Sequence, residues 1–517
     1  MDFVLLVAVL LPVAGAAVVM LASHGDAHAA RRTALAATLA TLAATVIVAV
    51  GFDATETASQ MVTDWPWLGS AGIHFAIGLD GIALWLVVLT SLLSVTAVLV
   101  SWRAVEERPR AYYALLLLLE TGMLGVFTAL DIILFYVFFE FTLIPLFFLI
   151  GVWGGPDRRL AARKFFIYTL SGSVLTLLGL LYIVAAYHEQ TAALGKPTLT
   201  FSIPELTANL HLSSAKQWWV FLALTAGFAI KVPLWPFHTW LPLAHVEAPT
   251  AGSVILAGVL LKIGTYGFLR FNLALLPAAS HEFLAPIAVL AVIGIVYGAL
   301  TALAQSDIKR LVAYSSVSHL GYCMLGLFAL GSVDTATVGI TGSLLQMVNH
   351  GLSTGALFAL VGMLYERYHT REIRSLGGLA RKMPVLAFFF VVFTLSSIGL
   401  PGLNGFVGEF LVLLAMFEVR KAYSIIGAVG IILGAFYMLW LVQRMLFGPL
   451  KEPHDGDDAV RDLDGREIAA LAPIAAVCLW IGLCPNIFLS RMEPAVRQVA
   501  ERLEPAATRV AIAHDSH

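Results

Sequence analysis

Two lysines and three prolines inside long apolar runs constrain this chain most. The stretch from Phe228 to Gly264 reads FAIKVPLWPFHTWLPLAHVEAPTAGSVILAGVLLKIG. It carries Lys231 and Lys262 in apolar surroundings, with Pro233, Pro236 and Pro242 close behind the first lysine. Proline has no N–H and collides with the carbonyl four residues back, so a helix cannot run through this stretch unbroken. In lipid, broken backbone is tolerated only where protein buries it or where it lines a wet cavity. A lysine in mid-membrane costs about 2.5–3.5 kcal/mol on insertion scales. Either lysine could snorkel to the interface from a helix end. A charge beside a helix break reads better as part of an ion path.

Apolar runs of about 20 residues recur along the chain, each long enough to cross a hydrocarbon core about 30 Å thick. With 12% charged and 59% hydrophobic residues over 517 positions, the class is a polytopic membrane protein. A signal peptide on a secreted protein does not fit, because the apolar runs never stop. The first run follows Met1-Asp2-Phe3 with no basic segment before it, and reads as an uncleaved helix. The expected fold is all-α, with about fourteen transmembrane helices. Helices 1–3 occupy 1–110, a first group of five 111–275, a second group 283–447, and a polar loop, a last helix and a short amphipathic tail 448–517. About twenty of the 31 Lys and Arg fall on one set of alternating loops, which should be cytoplasmic and would put both termini outside.

The run Gly399-Leu400-Pro401-Gly402-Leu403-Asn404-Gly405 predicts a second broken helix, five spans after the first. Five is odd, so the groups 111–275 and 283–447 would be inverted repeats. Broken helices at matching places in inverted halves point to a transport site near the midplane.

Ionisable residues within the apolar runs extend the path. Glu140 lies in LFYVFFEFTLIPL, and Glu409 follows the second break. Such residues are functional by default, with a neutral structural carboxyl or a subunit contact as the alternatives. His319 and His350 sit among serines and beside Asn349, and histidine can take a proton on one nitrogen and release one from the other. His238 and His245 flank the first break and are secondary candidates. Asp131 reads as a helix cap or as a contact to a neighbouring subunit, Glu120 and Asp80 as weaker cases, and Asp307 as an N-terminal helix residue. Cys323, Cys478 and Cys484 read as packing residues: no cysteine or histidine spacing suggests a metal site. Neither a phosphate-cradling glycine motif nor a nucleic-acid-binding stretch is present.

The strings FYVFFEFTLIP, KVPLWPFHTWLPLAHVEAPTAGSVILAGVLLKIGTYGFLR, QSDIKRLVAYSSVSHLGY and NHGLSTGALF resemble the antiporter-like membrane subunits of respiratory complex I, over about residues 75 to 450. Multisubunit cation/proton antiporters and membrane-bound hydrogenases share the likeness, and a subunit of one of these is the alternative reading. Glu409 resembles the branch with a glutamate after the second break; the sister subunits L and N carry lysine there. The resemblance implies a bacterial inner-membrane protein in which Glu140 and Lys231 form a modulating pair. It implies that Lys262 is the central proton carrier and that His319 and His350 conduct toward Glu409. It also implies that NADH, FMN, iron–sulfur clusters and quinone belong to partner subunits, with L and N among the neighbours.

Overall fold

The computed structural model describes residues 2–22, 26–453 and 460–504. Among them, ten helices are long and apolar enough to cross a membrane. At the N-terminal end α1 (Asp2–Ala22) and α2 (Ala27–Val50) pair side by side. The Asp26 side chain accepts the His28 N–H and starts α2, a capping interaction.

The all-α expectation fails between residues 60 and 79. There β1 (Gln60–Leu68) and β2 (Ile73–Leu79) form an antiparallel hairpin, with Thr63 opposite Ile77 and Trp65 opposite Phe75. Gly72, at φ +69°, makes the left-handed turn before β2. The Trp65 and Phe75 rings stack at 5.8 Å, a cross-strand pair of the kind that stabilises hairpins. Leu79 therefore ends a strand, and the helix that follows, α3 (Leu84–Val100), starts only at Leu84.

Beyond α4 (Pro109–Thr128) the chain forms α5 (Ile132–Phe141) and α6 (Leu143–Trp153), two halves of one apolar run separated at Thr142. Pro145 removes the N–H that would bond the Phe141 carbonyl, which accounts for the interruption. Next come α7 (Arg158–Ala193), the short α8 (Ile203–Asn209) and α9 (Ser214–Lys231). After the proline-rich break, α10 (Leu241–Glu247) resumes with Pro242 in its first turn, where a missing N–H costs nothing. The break is internally satisfied: Leu234 N–H bonds Ala229 O at 2.9 Å, and the Trp240 indole bonds Ile230 O at 2.9 Å.

The run Thr250–Leu273 is helical throughout but not α-helical throughout. It consists of α11 (Thr250–Ile255), a π turn over Leu256–Leu260, α12 (Leu261–Gly267) and a second π turn over Phe268–Leu273. Periodicity in sequence gave no sign of these wide turns, which are frequent at functional sites. After α13 (Pro277–Glu282), α14 (Leu284–Leu303) packs along α15 (Ile308–Leu327), and α16 (Val333–Tyr368) crosses the interior. The apolar windows of Thr250–Leu273 and Val333–Tyr368 are wholly buried, so these two segments form the axis around which the others pack.

The second break separates α17 (Pro384–Ser397) from α18 (Asn404–Val419). Gly399 at φ +73° closes α17, with Leu400 N–H on Leu395 O at 3.0 Å. Then follow α19 (Lys421–Leu446) and α20 (Gly465–Leu483). The loop between them is not merely solvated. Asp462 accepts the Val385 and Leu386 N–H groups at the start of α17, and Asp464 and Glu467 form a capping box on α20. The amphipathic tail is α21 (Asn486–Leu503), which lays Phe488, Met492, Val496 and Val499 against the α16 and α13 side. Residues 454–459 and Arg509 lie outside the described residues.

Candidate functional site

Four of the candidate residues come together in one buried line. Lys262, on α12 between the two π turns, is fully buried. Its ammonium donates to the Ala257 carbonyl inside the first π turn and meets His350 Nδ1 at 2.6 Å. The contact serves both protonation states: a charged lysine donates to the imidazole, and a neutral amine accepts from it. His350, on α16, stands 5.6 Å from the His319 ring, centroid to centroid. His319, on α15, places Nδ1 3.0 Å from Glu409 Oε1 and Nε2 3.3 Å from Ser397 Oγ. Gln346 donates to the same Glu409 oxygen at 3.0 Å. Glu409 is 3% exposed.

The second break shapes the Glu409 end. A Cβ on Gly399 would meet Glu409 Oε2 at 3.1 Å, so the left-handed glycine lets the broken backbone lie against the carboxylate. Asn404, first residue of α18, accepts Ser396 Oγ at 2.6 Å on its side chain and Asn349 Nδ2 at 2.7 Å on its carbonyl. These bonds tie the break to α16 three residues from Gln346. Gln346, Asn349 and His350 share one face of α16, at spacings of three and four. That spacing is the signal by which Gln346 could have been found in the sequence.

The first break shapes the Lys231 end. Lys231 closes α9, where a cation complements the partial negative charge of a helix C-terminus. It is 4% exposed, donates to Thr142 Oγ1 at 3.4 Å and lies 4.5 Å over the Phe139 ring. Glu140, two residues before Thr142, is half-buried and faces Ser173 and Tyr136 as well as Lys231. No ion pair within 4.0 Å joins Glu140 to Lys231. The implied pair is therefore held apart here, with the Thr142 hydroxyl as the lysine's partner. Gly264 brings the two lysine-bearing helices into backbone contact: a Cβ there would meet Val232 N and Phe228 O, each at 2.8 Å.

The secondary candidates divide. His245, on α10, is fully buried and stacks on Phe358 at 4.6 Å, and neither of its ring nitrogens has a hydrogen-bond partner among the described residues. His238 lies in the first break with its ring edge toward Tyr297, 5.2 Å away. Asp131 caps α5: its carboxylate accepts the Ile133, Leu134 and His74 N–H groups. Asp80 is an ion-pair partner, 2.6 Å from the half-buried Arg270. Asp307 caps α15 through the Arg310 N–H. Lys309, in the first turn of α15, is buried and donates to the Ala248 and Val246 carbonyls. Of the cysteines, Cys323 and Cys478 are buried, whereas Cys484 is exposed and does not pack.

Chemically, the line joins a primary amine, two imidazoles and a carboxylate, all able to exchange protons. Among the described residues, no three His, Cys, Asp or Glu side chains converge as metal ligands.

Residues 129–442 match the family described as NADH:quinone oxidoreductase/Mrp antiporter, TM. NADH-quinone oxidoreductase subunit M of Rhodobacter capsulatus is 42% identical over 509 residues, which cover 97% of each chain. A chain in the structure of respiratory complex I from Thermus thermophilus with bound NADH superposes with a TM-score of 0.85 at 32% identity, covering 97% of this chain and 100% of that one. A chain of the Mrp complex from a Dietzia species has the same fold, with a TM-score of 0.78 at 22% identity and 97% and 98% coverage.

Proposed function

Because the chain belongs to the NADH:quinone oxidoreductase/Mrp antiporter family, beside its subunit M relatives, we propose that it moves protons across the membrane as a subunit of an NADH:quinone oxidoreductase. The observation that carries this reading is the buried line from Lys262 through His350 and His319 to Glu409. Redox chemistry on NADH, FMN, iron–sulfur clusters and quinone takes place in partner subunits, and sister subunits L and N are neighbours in the membrane arm. The protein resides in a bacterial inner membrane, with the arginine-rich loops in the cytoplasm and both termini outside.

The chain crosses about fourteen times, as three initial helices, inverted five-helix groups at 111–275 and 283–447, and a last span. The two breaks, after Lys231 and before Asn404, support that division. Each break sits beside a charged group, Lys231 in one half and Glu409 in the other.

The mechanism is electrostatic. Lys231 and Glu140 set the field at Lys262. When Glu140 closes on Lys231, the two charges offset and Lys262 holds its proton. When the pair is open, the Lys231 charge acts on Lys262 and drives its proton toward His350. Unit charges about 8 Å apart at an effective dielectric of about 20 interact by about 2 kcal/mol, enough to bias a proton by more than tenfold. His350 accepts on Nδ1, His319 carries the proton onward, and Glu409 receives it beside the second break. The Gln346 amide and the Ser397 hydroxyl orient Glu409 and His319.

The test is NADH-driven proton pumping in membranes carrying Glu140→Gln, with quinone reduction followed in parallel. Loss of both is expected. Unchanged turnover and pumping, with only sodium exchange impaired, would replace this reading with a cation/proton antiporter.

A further inference from the structure

At the arginine-rich end of the molecule lies a cavity of about 840 Å³. Val246–Thr250, the junction of α10 and α11, lines it together with Lys309, Arg103, Glu366 and Arg371. A lysine near a helix start and beside such a space would normally extend its flexible stem into water. Lys309 does not. It is only 7% exposed and donates to the Ala248 carbonyl at 2.6 Å and the Val246 carbonyl at 3.3 Å. Carbonyls at a helix end lack partners from the next turn, and Pro249 offers no N–H. Arg371 donates to the Val246 carbonyl as well, at 2.8 Å. The Glu247 carboxylate is engaged elsewhere, accepting the Asp157 N–H at 2.9 Å.

His245 lies one residue before Val246. It is fully buried, and both ring nitrogens lack a hydrogen-bond partner among the described residues. A buried polar group left unsatisfied calls for a reason, and proton transfer is one. The ring lies within electrostatic reach of Lys309, Lys262 and His350 but hydrogen-bonds to none of them. The charged groups facing Lys309 are Arg371, Asp307 and Glu247.

We propose that Lys309 and His245 form the intake branch of the proton path, loading Lys262 from the cavity. The inference rests on the reading of Lys262 as the proton carrier. The Lys309 ammonium gives a proton to one ring nitrogen of His245 and becomes a neutral amine. The other ring nitrogen releases its proton to neutral Lys262, which restores a neutral imidazole. A hydronium ion from the cavity then recharges Lys309. One proton enters and one reaches Lys262, and no electron moves. The two carbonyls hold the Lys309 amine at the cavity wall; transfer to His245 then takes a side-chain movement that brings amine and ring together, since the ring makes no hydrogen bond in this structure.

Arginine separates a proton carrier from a clamp. The guanidinium of Lys309→Arg keeps the charge and the donors for both carbonyls but does not release a proton near neutral pH. In membrane vesicles containing the assembled complex, NADH-driven pumping should fall about a hundredfold, the low end for loss of a proton-transferring group. His245→Phe, which preserves the stack on Phe358, should lose pumping to the same extent. Normal pumping in assembled Lys309→Arg overturns the proposal, because a clamp alone survives that exchange. If Lys309→Arg does not assemble, normal pumping in His245→Phe overturns it. Lys262→Ala in the same vesicles separates the two claims. Pumping lost there but kept in both branch variants removes the branch and leaves the main line. Pumping kept in Lys262→Ala removes the main line itself.

Discussion

Replacing His350 with leucine breaks the line at its centre. The imidazole is 2.6 Å from the Lys262 ammonium and 5.6 Å, ring to ring, from His319. Efficient proton transfer needs donor and acceptor within about 3 Å, directly or through one water. Without His350, the nearby polar groups of α16 are the amides of Gln346 and Asn349, which hydrogen-bond but do not exchange protons near neutral pH. Losing a positioned proton-transfer group costs about 10²–10⁴ in rate, or about 3–5 kcal/mol in barrier. The cost to the fold is smaller. Lys262 loses one charge-assisted hydrogen bond, about 1.5–3 kcal/mol, and keeps the Ala257 carbonyl. The complex should therefore assemble and not pump. The assay is NADH-driven acidification of inverted vesicles, with assembly checked on native gels. His350→Gln is the decisive companion, since it returns a hydrogen-bonding partner to Lys262 without a titrating group. It should restore any lost assembly but not pumping. Pumping near the normal rate in either variant would refute the relay.

Two further outcomes follow from the packing and from the loop charges. Gly264→Ala would put a Cβ 2.7 Å from Val232 Cγ2 and 2.8 Å from two backbone atoms. Such overpacking costs about 1–3 kcal/mol; a lowered unfolding temperature of the purified complex is expected, and an unchanged one would contradict the close approach of α9 and α12. Asp464 lies outside the spans. Burial pushes its carboxyl up, but the Glu467 N–H and the Arg466 and Arg103 guanidinium groups outweigh burial and hold it below the ordinary aspartate range. A carboxyl lowered by folding contributes fully above about pH 4 and loses that contribution as pH falls through its folded value. Asp464→Asn keeps a capping oxygen and should flatten this acid limb in thermal unfolding followed against pH. An acid limb identical to that of the unmodified protein would contradict the assignment.

Which features were legible in the sequence follows from how local their physics is. Proline and glycine runs act on their own backbone, so both major breaks could be read from the letters, at Pro233–Pro242 and Gly399–Gly405. Charges in apolar runs are expensive wherever they sit, so Lys231, Lys262, Glu140 and Glu409 stood out without a structure. The Thr142 interruption was also written locally, in Pro145, but the intact apolar run around it masked the signal. The π turns flanking Lys262 were not legible, because an extra residue in a helical turn leaves apolar periodicity almost unchanged. Lys309 was missed for a different reason. Its sequence neighbours Asp307 and Arg310 describe a surface turn, whereas its burial comes from the α10–α11 junction, 61 residues away at Ala248. The hairpin was hidden by the expectation that a membrane chain is helical throughout. The separation of Glu140 from Lys231 is a matter of side-chain placement, which no sequence pattern encodes.

The role of Lys262 as the proton carrier is tested most directly by NADH-driven proton pumping in the assembled complex carrying Lys262→Ala. This change leaves His350, His319 and Glu409 in place and removes only the amine at the head of their line. Assembly is expected to persist and pumping to disappear. Pumping at the normal rate in an assembled Lys262→Ala complex would contradict that role.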